Sequence, residues 1–360
     1  MKHGDGKNQL RLVAWEVTRR CNLNCVHCRA AAEKGPYPGE LSTSRCMGIL
    51  EEISRIGKPI VILTGGEPLL REDVFEIAER GTQLGLRMVM ATNGTFLTPE
   101  ITEKMMESGI KRVSISLDGS TAEEHDAFRM VPGAFDAALA GIELLKAREI
   151  PFQINTTITR HNVHLAEELL KLAVELGAVA HHIFLLVPTG RARDMVNQEI
   201  TAREYEELLR WFYKMRDKVP LHLKATCAPH YYRILRQEAH ASGEKVTFET
   251  YGLDAVTRGC LGGTAFCFIS YKGAVQPCGY LELDCGDVSK KDFGVVWEHS
   301  SVFQKLRDFS GYQGKCGRCE YITVCGGCRA RAFESSGDFL GEEPLCAYEP
   351  GKKEKHGQIG

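Results

Sequence analysis

Thr18-Arg19-Arg20-Cys21-Asn22-Leu23-Asn24-Cys25-Val26-His27-Cys28-Arg29 sets three thiols in the spacing C-x3-C-x2-C. It follows an apolar run, Leu12-Val13-Ala14-Trp15, that reads as a buried strand. Cysteine thiolates hold iron–sulfur clusters, four of them for a closed cube, so three closely spaced thiols take three corners and leave the fourth iron open. An open metal position is a place for chemistry, as the contrast between closed structural zinc and open catalytic zinc illustrates. On spacing alone the triplet also reads as a zinc knuckle or as three buried thiols. Two stretches give it context: Thr64-Gly65-Gly66-Glu67-Pro68 follows a second apolar strand, and Thr92-Asn93-Gly94 follows a third.

The 360 residues, 43% of them hydrophobic, suffice for two or three folded domains. With 45 basic and 47 acidic residues the net charge is -2, which gives no broad field for nucleic acid or an anionic membrane. Met1 to Asn8 carries no apolar leader, and no run approaches the ~18 apolar residues of a membrane span. A cytoplasmic location is expected. There, fourteen cysteines are metal ligands rather than disulfides; five precede position 230 and nine follow 259, the latter spaced like ligands.

From Leu12 to Val187 short β-rich runs alternate with amphipathic helical stretches. The runs are Leu12–Val17, Ile60–Leu63, Arg87–Ala91, Arg112–Leu117, Phe152–Ile158 and His182–Val187. Thr43 and Ser44 open a helix whose apolar face is Met47, Ile49, Leu50, Ile53 and Ile56, with Gly57 as its stop. Repeated βα units imply a parallel sheet covered by helices, with chemistry at the C-terminal strand ends. Residues 201–240 read as helical, broken by Thr226-Cys227-Ala228-Pro229-His230-Tyr231-Tyr232-Arg233, and 241–259 reads as a linker. Beyond Cys260, the strands Ala265–Ser270 and Ala274–Pro277 flank the hairpin signal Tyr271-Lys272-Gly273. The expected division is 1–11, an N-terminal segment; 12–200, a core barrel; 201–259, a helical bridge; 260–348, a cysteine-rich domain; and 349–360, a polar tail.

The cysteine triplet, the Gly-Gly-Glu-Pro loop and the strand order together resemble the radical S-adenosylmethionine (SAM) enzymes. The resemblance implies an α/β fold, an open six-stranded (β/α)6 barrel. Cys21, Cys25 and Cys28 would hold a SAM-binding [4Fe-4S] cube, and Gly65, Gly66, Glu67 and Pro68 would receive the methionine group, the glycines allowing close backbone approach. Asn93, Ser116 and Asp118 are candidates for the ribose, although short polar residues at strand ends also serve simply as turn formers. The later cysteines resemble the SPASM extension with its two auxiliary clusters. The first cluster would then use Cys260, Cys267, Cys278 and Cys328, the second Cys316, Cys319, Cys325 and Cys346. Two residues separate Cys325 from Cys328 where that pattern has three, and Cys285 competes with Cys267. A zinc ribbon from Cys316, Cys319, Cys325 and Cys328 is the alternative. Cys46 reads as a buried helical thiol.

Within the family, Val13–Arg20, Ala225–Arg233, Cys260–Phe268 and Gln276–Leu281 resemble tetrapyrrole-modifying members of the alternative haem pathway. This implies oxidative decarboxylation of two propionates of iron-coproporphyrin III to vinyls, giving haem b. It further implies an external one-electron donor such as flavodoxin or ferredoxin. Arginine forks suit carboxylates, so Arg19, Arg20, Arg29, Arg129, Arg191, Arg193 and Arg233 are substrate candidates, with Cys227, His230 and Tyr231 as candidate ligands of haem iron. A sulfatase or precursor-peptide maturase is the rival enzyme. A pure electron carrier is the third reading, but it would need neither an open iron nor the Gly-Gly-Glu-Pro loop.

Overall fold

The computed structural model describes residues 9–351; Met1–Asn8 and the tail beyond Gly351 lie outside the described residues. The six expected strands are all present: β1 (Leu12–Thr18), β2 (Ile60–Gly65), β3 (Arg87–Thr92), β4 (Val113–Ser116), β5 (Phe152–Ile158) and β6 (Ala180–Leu185). They pair in parallel in chain order. Parallel strands carry helices on their faces, which is why they read as nearly continuous apolar runs.

The crossover helix α1 (Thr43–Ile56) shows how the local code works. Ser42 caps it by accepting from Arg45 N, and Cys46, Ile49, Leu50 and Ile53 form one buried stripe. Each fully buried Leu or Ile is worth about 1.5–3 kcal/mol. The Cys46 thiol lies in this stripe as expected, and burial pushes its pKa up to about 11. Flanking that stripe, Arg45 grips Glu52 and donates to the Val288 carbonyl, while Glu52 accepts from Phe293 N. This helix thereby bolts the barrel to the C-terminal part of the chain.

Two features go beyond the sequence reading. A seventh strand, β7 (His222–Thr226), pairs in parallel with β6 inside the stretch read as helical. It is five residues long and lies between α2 (Ala202–Met215) and α3 (His230–Ala241), whose strong helical periodicity masked its period of two. The cysteine-rich segment is also no separate layer. Its strand β8 (Phe266–Ile269) pairs in parallel with β1, placing Cys267 opposite Val13, and β9 (Ala274–Gln276) and β10 (Gly286–Asp287) continue antiparallel beyond it. One ten-stranded sheet results, in the order β10-β9-β8-β1-β2-β3-β4-β5-β6-β7.

Candidate active site

The cysteine loop leaves the C-terminal end of β1 and is fastened by backbone on every side. Cys21 N donates to Glu33 O at 2.8 Å, Val26 N to Phe128 O at 3.1 Å, and Arg191 N to Cys28 O at 3.0 Å. Arg191 adds Nε to Cys25 O at 2.9 Å and Nη1 to Ala32 O at 2.8 Å. Gly190 permits this approach, since a Cβ there would lie 2.1 Å from Arg29 O. Arg191, a substrate candidate by sequence, is therefore a brace of the loop.

Each thiol of the triplet faces a donor. Leu23 N lies 3.4 Å from Cys21 Sγ, Ala32 N 3.4 Å from Cys28 Sγ, and Arg129 Nη1 3.5 Å from Cys25 Sγ. Donors aimed at sulfur favour thiolate over thiol and tune the potential of a bound cluster. Burial, helped by the nearby Glu67 carboxylate and the other two thiols, pushes the Cys21 thiol up to about 12, so without metal it stays protonated. Three thiols with this donor set fit three corners of an iron–sulfur cube.

The Gly-Gly-Glu-Pro loop is stitched to the entry of the cysteine loop. Gly66 N donates to Thr18 O at 2.9 Å and Glu67 N to Arg20 O at 2.7 Å. A Cβ on Gly66 would lie 2.4 Å from Arg20 O, so glycine is needed here for backbone to meet backbone. The Glu67 carboxylate, fully buried, turns inward and accepts from Thr92 Oγ1 (2.7 Å), Asn93 N (2.8 Å) and Leu69 N (3.1 Å). Burial outweighs these bonds and holds its pKa at about 7. The sequence reading had Glu67 meeting the methionine group. In the structure its carboxylate clamps the loop, and Pro68 opens a short 3-10 turn behind it.

Asn93 joins a polar ring, its Nδ2 donating to Asn22 Oδ1 and its Oδ1 accepting from Thr95 N. Asp118, expected at the ribose, is likewise turned in: it accepts from Thr157 N at 2.7 Å and pairs with buried Arg129. A buried carboxylate requires such a partner. Ser116, half-buried at the end of β4, has no side-chain partner among the described residues and keeps its hydroxyl free.

The other arginine candidates divide. Arg19 and Arg29 both lean on Glu16, at 3.4 and 3.7 Å, and Arg29 stacks over Phe268. Glu16 is wholly buried, and the sequence reading passed over it; a lone charge within the apolar run of β1 was the available signal. Arg233 is buried against Glu206 and over Tyr348, far from solvent. Among the described residues Arg20, Arg191 and Arg193 have no carboxylate partner, and of these Arg191 is already engaged by the backbone of the cysteine loop.

The C-terminal cysteines form two groups. Cys316, Cys319, Cys325 and Cys346 line one hollow together with His230, Arg233 and Tyr348. Cys316 Sγ there accepts from Arg329 Nη2 and Glu343 N, both at 3.4 Å, and Gly327 N lies 3.5 Å from Cys325 Sγ. Cys328 packs instead with Cys278 and Cys227 around Leu281 and Val187, so Cys325 and Cys328 face different sites, contrary to a zinc ribbon. Cys267 lies in the main apolar core with Cys285, away from both groups. His230 is buried beside the hollow with both ring nitrogens unpartnered, and Tyr231 is buried among Phe212 and Tyr232. Both side chains are buried, His230 at the wall of the second thiol group and Tyr231 among aromatic rings. Arg331 and Glu343, both buried and missed in the sequence, pair with each other beneath these cysteines.

An open parallel sheet whose first strand ends in a three-thiol loop, stitched to a Gly-Gly-Glu-Pro turn and edged by a second set of thiols, defines a radical SAM enzyme. Residues 15–173 match the radical SAM superfamily model and residues 260–329 the iron–sulfur cluster-binding domain SPASM. The AdoMet-dependent heme synthase of Nitratidesulfovibrio vulgaris is 56% identical over 346 residues, 96% of this chain and 94% of that protein. The AdoMet-dependent heme synthase of Methanosarcina barkeri is 54% identical over 346 residues, 96% and 99% of the two chains. The crystal structure of Streptococcus suis SuiB bound to S-adenosylmethionine shares the fold, with TM-score 0.75 at 16% identity over 94% of this chain and 78% of that one. The chain belongs to the radical SAM superfamily, in the family of the AdoMet-dependent heme synthases. SAM and iron–sulfur clusters are its cofactors.

Proposed function

We propose that this chain is a heme synthase that converts two propionates of iron-coproporphyrin III to vinyl groups by oxidative decarboxylation. The observation that carries this is identity of 54–56% along nearly the whole chain to relatives of that name. Turning a propionate into a vinyl group and carbon dioxide removes one hydrogen atom and one further electron, and the substrate requires this twice. When bound, SAM and its cluster supply the hydrogen-abstracting radical, and auxiliary clusters supply an electron sink.

The chain's own groups bind and orient. Cys21, Cys25 and Cys28 hold the first cluster. Glu67 sets the shape of the loop beside it, and the free Ser116 hydroxyl at the end of β4 meets the cofactor. Arg20 and Arg193, uncommitted to any carboxylate, receive substrate propionates. We assign three [4Fe-4S] clusters to the cysteine groups, with the core at 12–200, the bridge at 201–259 and the auxiliary domain at 260–348. A flavodoxin or ferredoxin supplies the first electron. None of the described helices is long and apolar enough to cross a membrane, and we place the enzyme in the cytoplasm.

The test is anaerobic incubation of the reconstituted protein with iron-coproporphyrin III, SAM and dithionite, followed by mass spectrometry. Haem b should form through a monovinyl intermediate, with two deoxyadenosines per haem. An untouched porphyrin alongside a modified precursor peptide would transfer the protein to the peptide-maturing enzymes.

A further inference from the structure

The first auxiliary group offers three thiols by sequence pattern, Cys260, Cys278 and Cys328, and its fourth corner is the open question. We propose that Cys227, from the end of β7 in the barrel, is the fourth thiolate of this cluster, and that Cys267 is no ligand. The proposal rests on the reading of the chain as a cluster-bearing radical SAM enzyme.

Placement carries the argument. Cys227 packs into the same small cluster as Cys278 and Cys328, around Val187, Leu281 and Ala330. Cys260 is pinned beside them: Gly259 N donates to Val324 O at 2.8 Å and Cys260 N to Cys325 O at 3.0 Å, at the turn leading to Cys328. Cys267, by contrast, is fully buried on β8 opposite Val13, within the main hydrophobic core. Cys285 shares that core with it. A cube there would have to displace core side chains.

The backbone of Cys227 is also held in an unusual state. Its φ is +55°, in the left-handed region that costs a non-glycine residue of order 1 kcal/mol or more, and such outliers persist only where surroundings over-determine them. Here they do. Tyr205 Oη donates to Cys227 O at 3.0 Å, and Arg331 Nη2 donates to the same oxygen at 3.3 Å. The same Arg331 nitrogen also donates to Leu186 O at 2.9 Å, and Arg331 stands three residues past Cys328. Arg331 thus ties the end of β6, the Cys227 turn and the Cys328 helix into one cage. A thiol used only for packing needs no such arrangement.

The experiment is Mössbauer and EPR spectroscopy, with iron and sulfide analysis, on the anaerobically reconstituted full chain carrying Cys227→Ala, Cys227→Ser, Cys267→Ala or Cys285→Ala. The Cys227→Ala protein should lose one cluster's iron, about four per chain, or show a three-iron species in its place. Cys227→Ser, which preserves shape and offers oxygen, should keep the iron but shift the signal of one auxiliary cluster. Circular dichroism of both checks that the fold survives. The Cys267 and Cys285 variants should retain wild-type iron and spectra. A wild-type spectrum for folded Cys227→Ala and Cys227→Ser, or loss of a cluster in Cys267→Ala, would overturn the assignment. The wild-type iron count separately tests the three-cluster reading on which it rests.

Discussion

The guanidinium of Arg129 lies 3.5 Å from Cys25 Sγ through one nitrogen and pairs with the carboxylate of Asp118 through the other. All three groups are buried, so the arginine is at once counter-ion to the carboxylate and donor to the sulfur. Removing one partner of a buried pair strands the other charge, at a cost of about 3–5 kcal/mol. Arg129→Met should therefore destabilise the cluster-free protein by that order, and the double variant Arg129→Met/Asp118→Asn should recover much of the loss. Denaturant unfolding of the four proteins decides it; additive effects would mean the two groups do not act as a pair.

Glu67 gives a pH dependence with a definite sign. Its folded pKa, raised to about 7 by burial, lies above the unfolded value near 4.5, so the folded protein binds the proton more tightly. The stabilisation is full below pH ~4.5 and is lost as pH rises through about 7, by at most ~3 kcal/mol. In Glu67→Gln this component of the slope should vanish. Urea unfolding of wild type and variant at several pH values is the measurement, and parallel curves would show that Glu67 is ionised throughout.

The sequence made the sheet readable because six of its strands are apolar runs with helices between them, and the triplet readable because its spacing is local. What it hid depends on contacts distant in the chain. Asp118 and Glu67 look like ligands at strand ends, but their roles are decided by Arg129, Thr92 and Asn93, which only folding brings to them. Cys267 fits a cysteine spacing pattern, yet β8 joins the barrel sheet beside β1 and carries that thiol into the core. Strand β7 was masked by its helical neighbours. The seven arginines were indistinguishable until their partners were known.

Glu343 links the two auxiliary groups. Its Oε2 accepts from Cys328 N at 2.6 Å, its backbone N points at Cys316 Sγ, and its carboxylate pairs with Arg331. Glu343→Gln keeps the shape but removes the charge facing buried Arg331, leaving that arginine with Glu199. We expect a stability loss of about 3 kcal/mol or more, and slower cluster reconstitution at both auxiliary sites. Thermal unfolding and iron uptake would check this, and uptake at the wild-type rate would assign Glu343 to the fold alone.

Arg20 and Arg193 are the two candidate cations free to meet propionates. Exchange of either for Gln should raise the KM for iron-coproporphyrin III by roughly ten- to a hundred-fold, on the scale of one charge-assisted hydrogen bond of ~1.5–3 kcal/mol. The affinity for SAM should stay unchanged. Steady-state kinetics with a parallel SAM-binding measurement separates the two, and an unchanged KM in both variants would remove these arginines from the substrate site.

The last prediction concerns independence of the sites. The triplet loop is held by Arg191, Phe128 and Glu33, none of which belongs to the C-terminal cysteine segment. The auxiliary thiols have their own cage of Arg331, Arg329 and Glu343. The shared sheet pair of β1 with β8 lies beneath both and depends on neither metal, since its register is set by Leu12 to Trp15 against Phe266 to Ile269. Replacing Cys21, Cys25 and Cys28 together by Ala should thus remove about four of about twelve irons and leave the auxiliary spectra intact. Formation of deoxyadenosine should cease altogether, because no open iron remains to hold SAM. Continued SAM cleavage by the triple variant would place the radical chemistry elsewhere. Loss of all iron with the fold preserved would instead mean that the auxiliary clusters assemble only through the first.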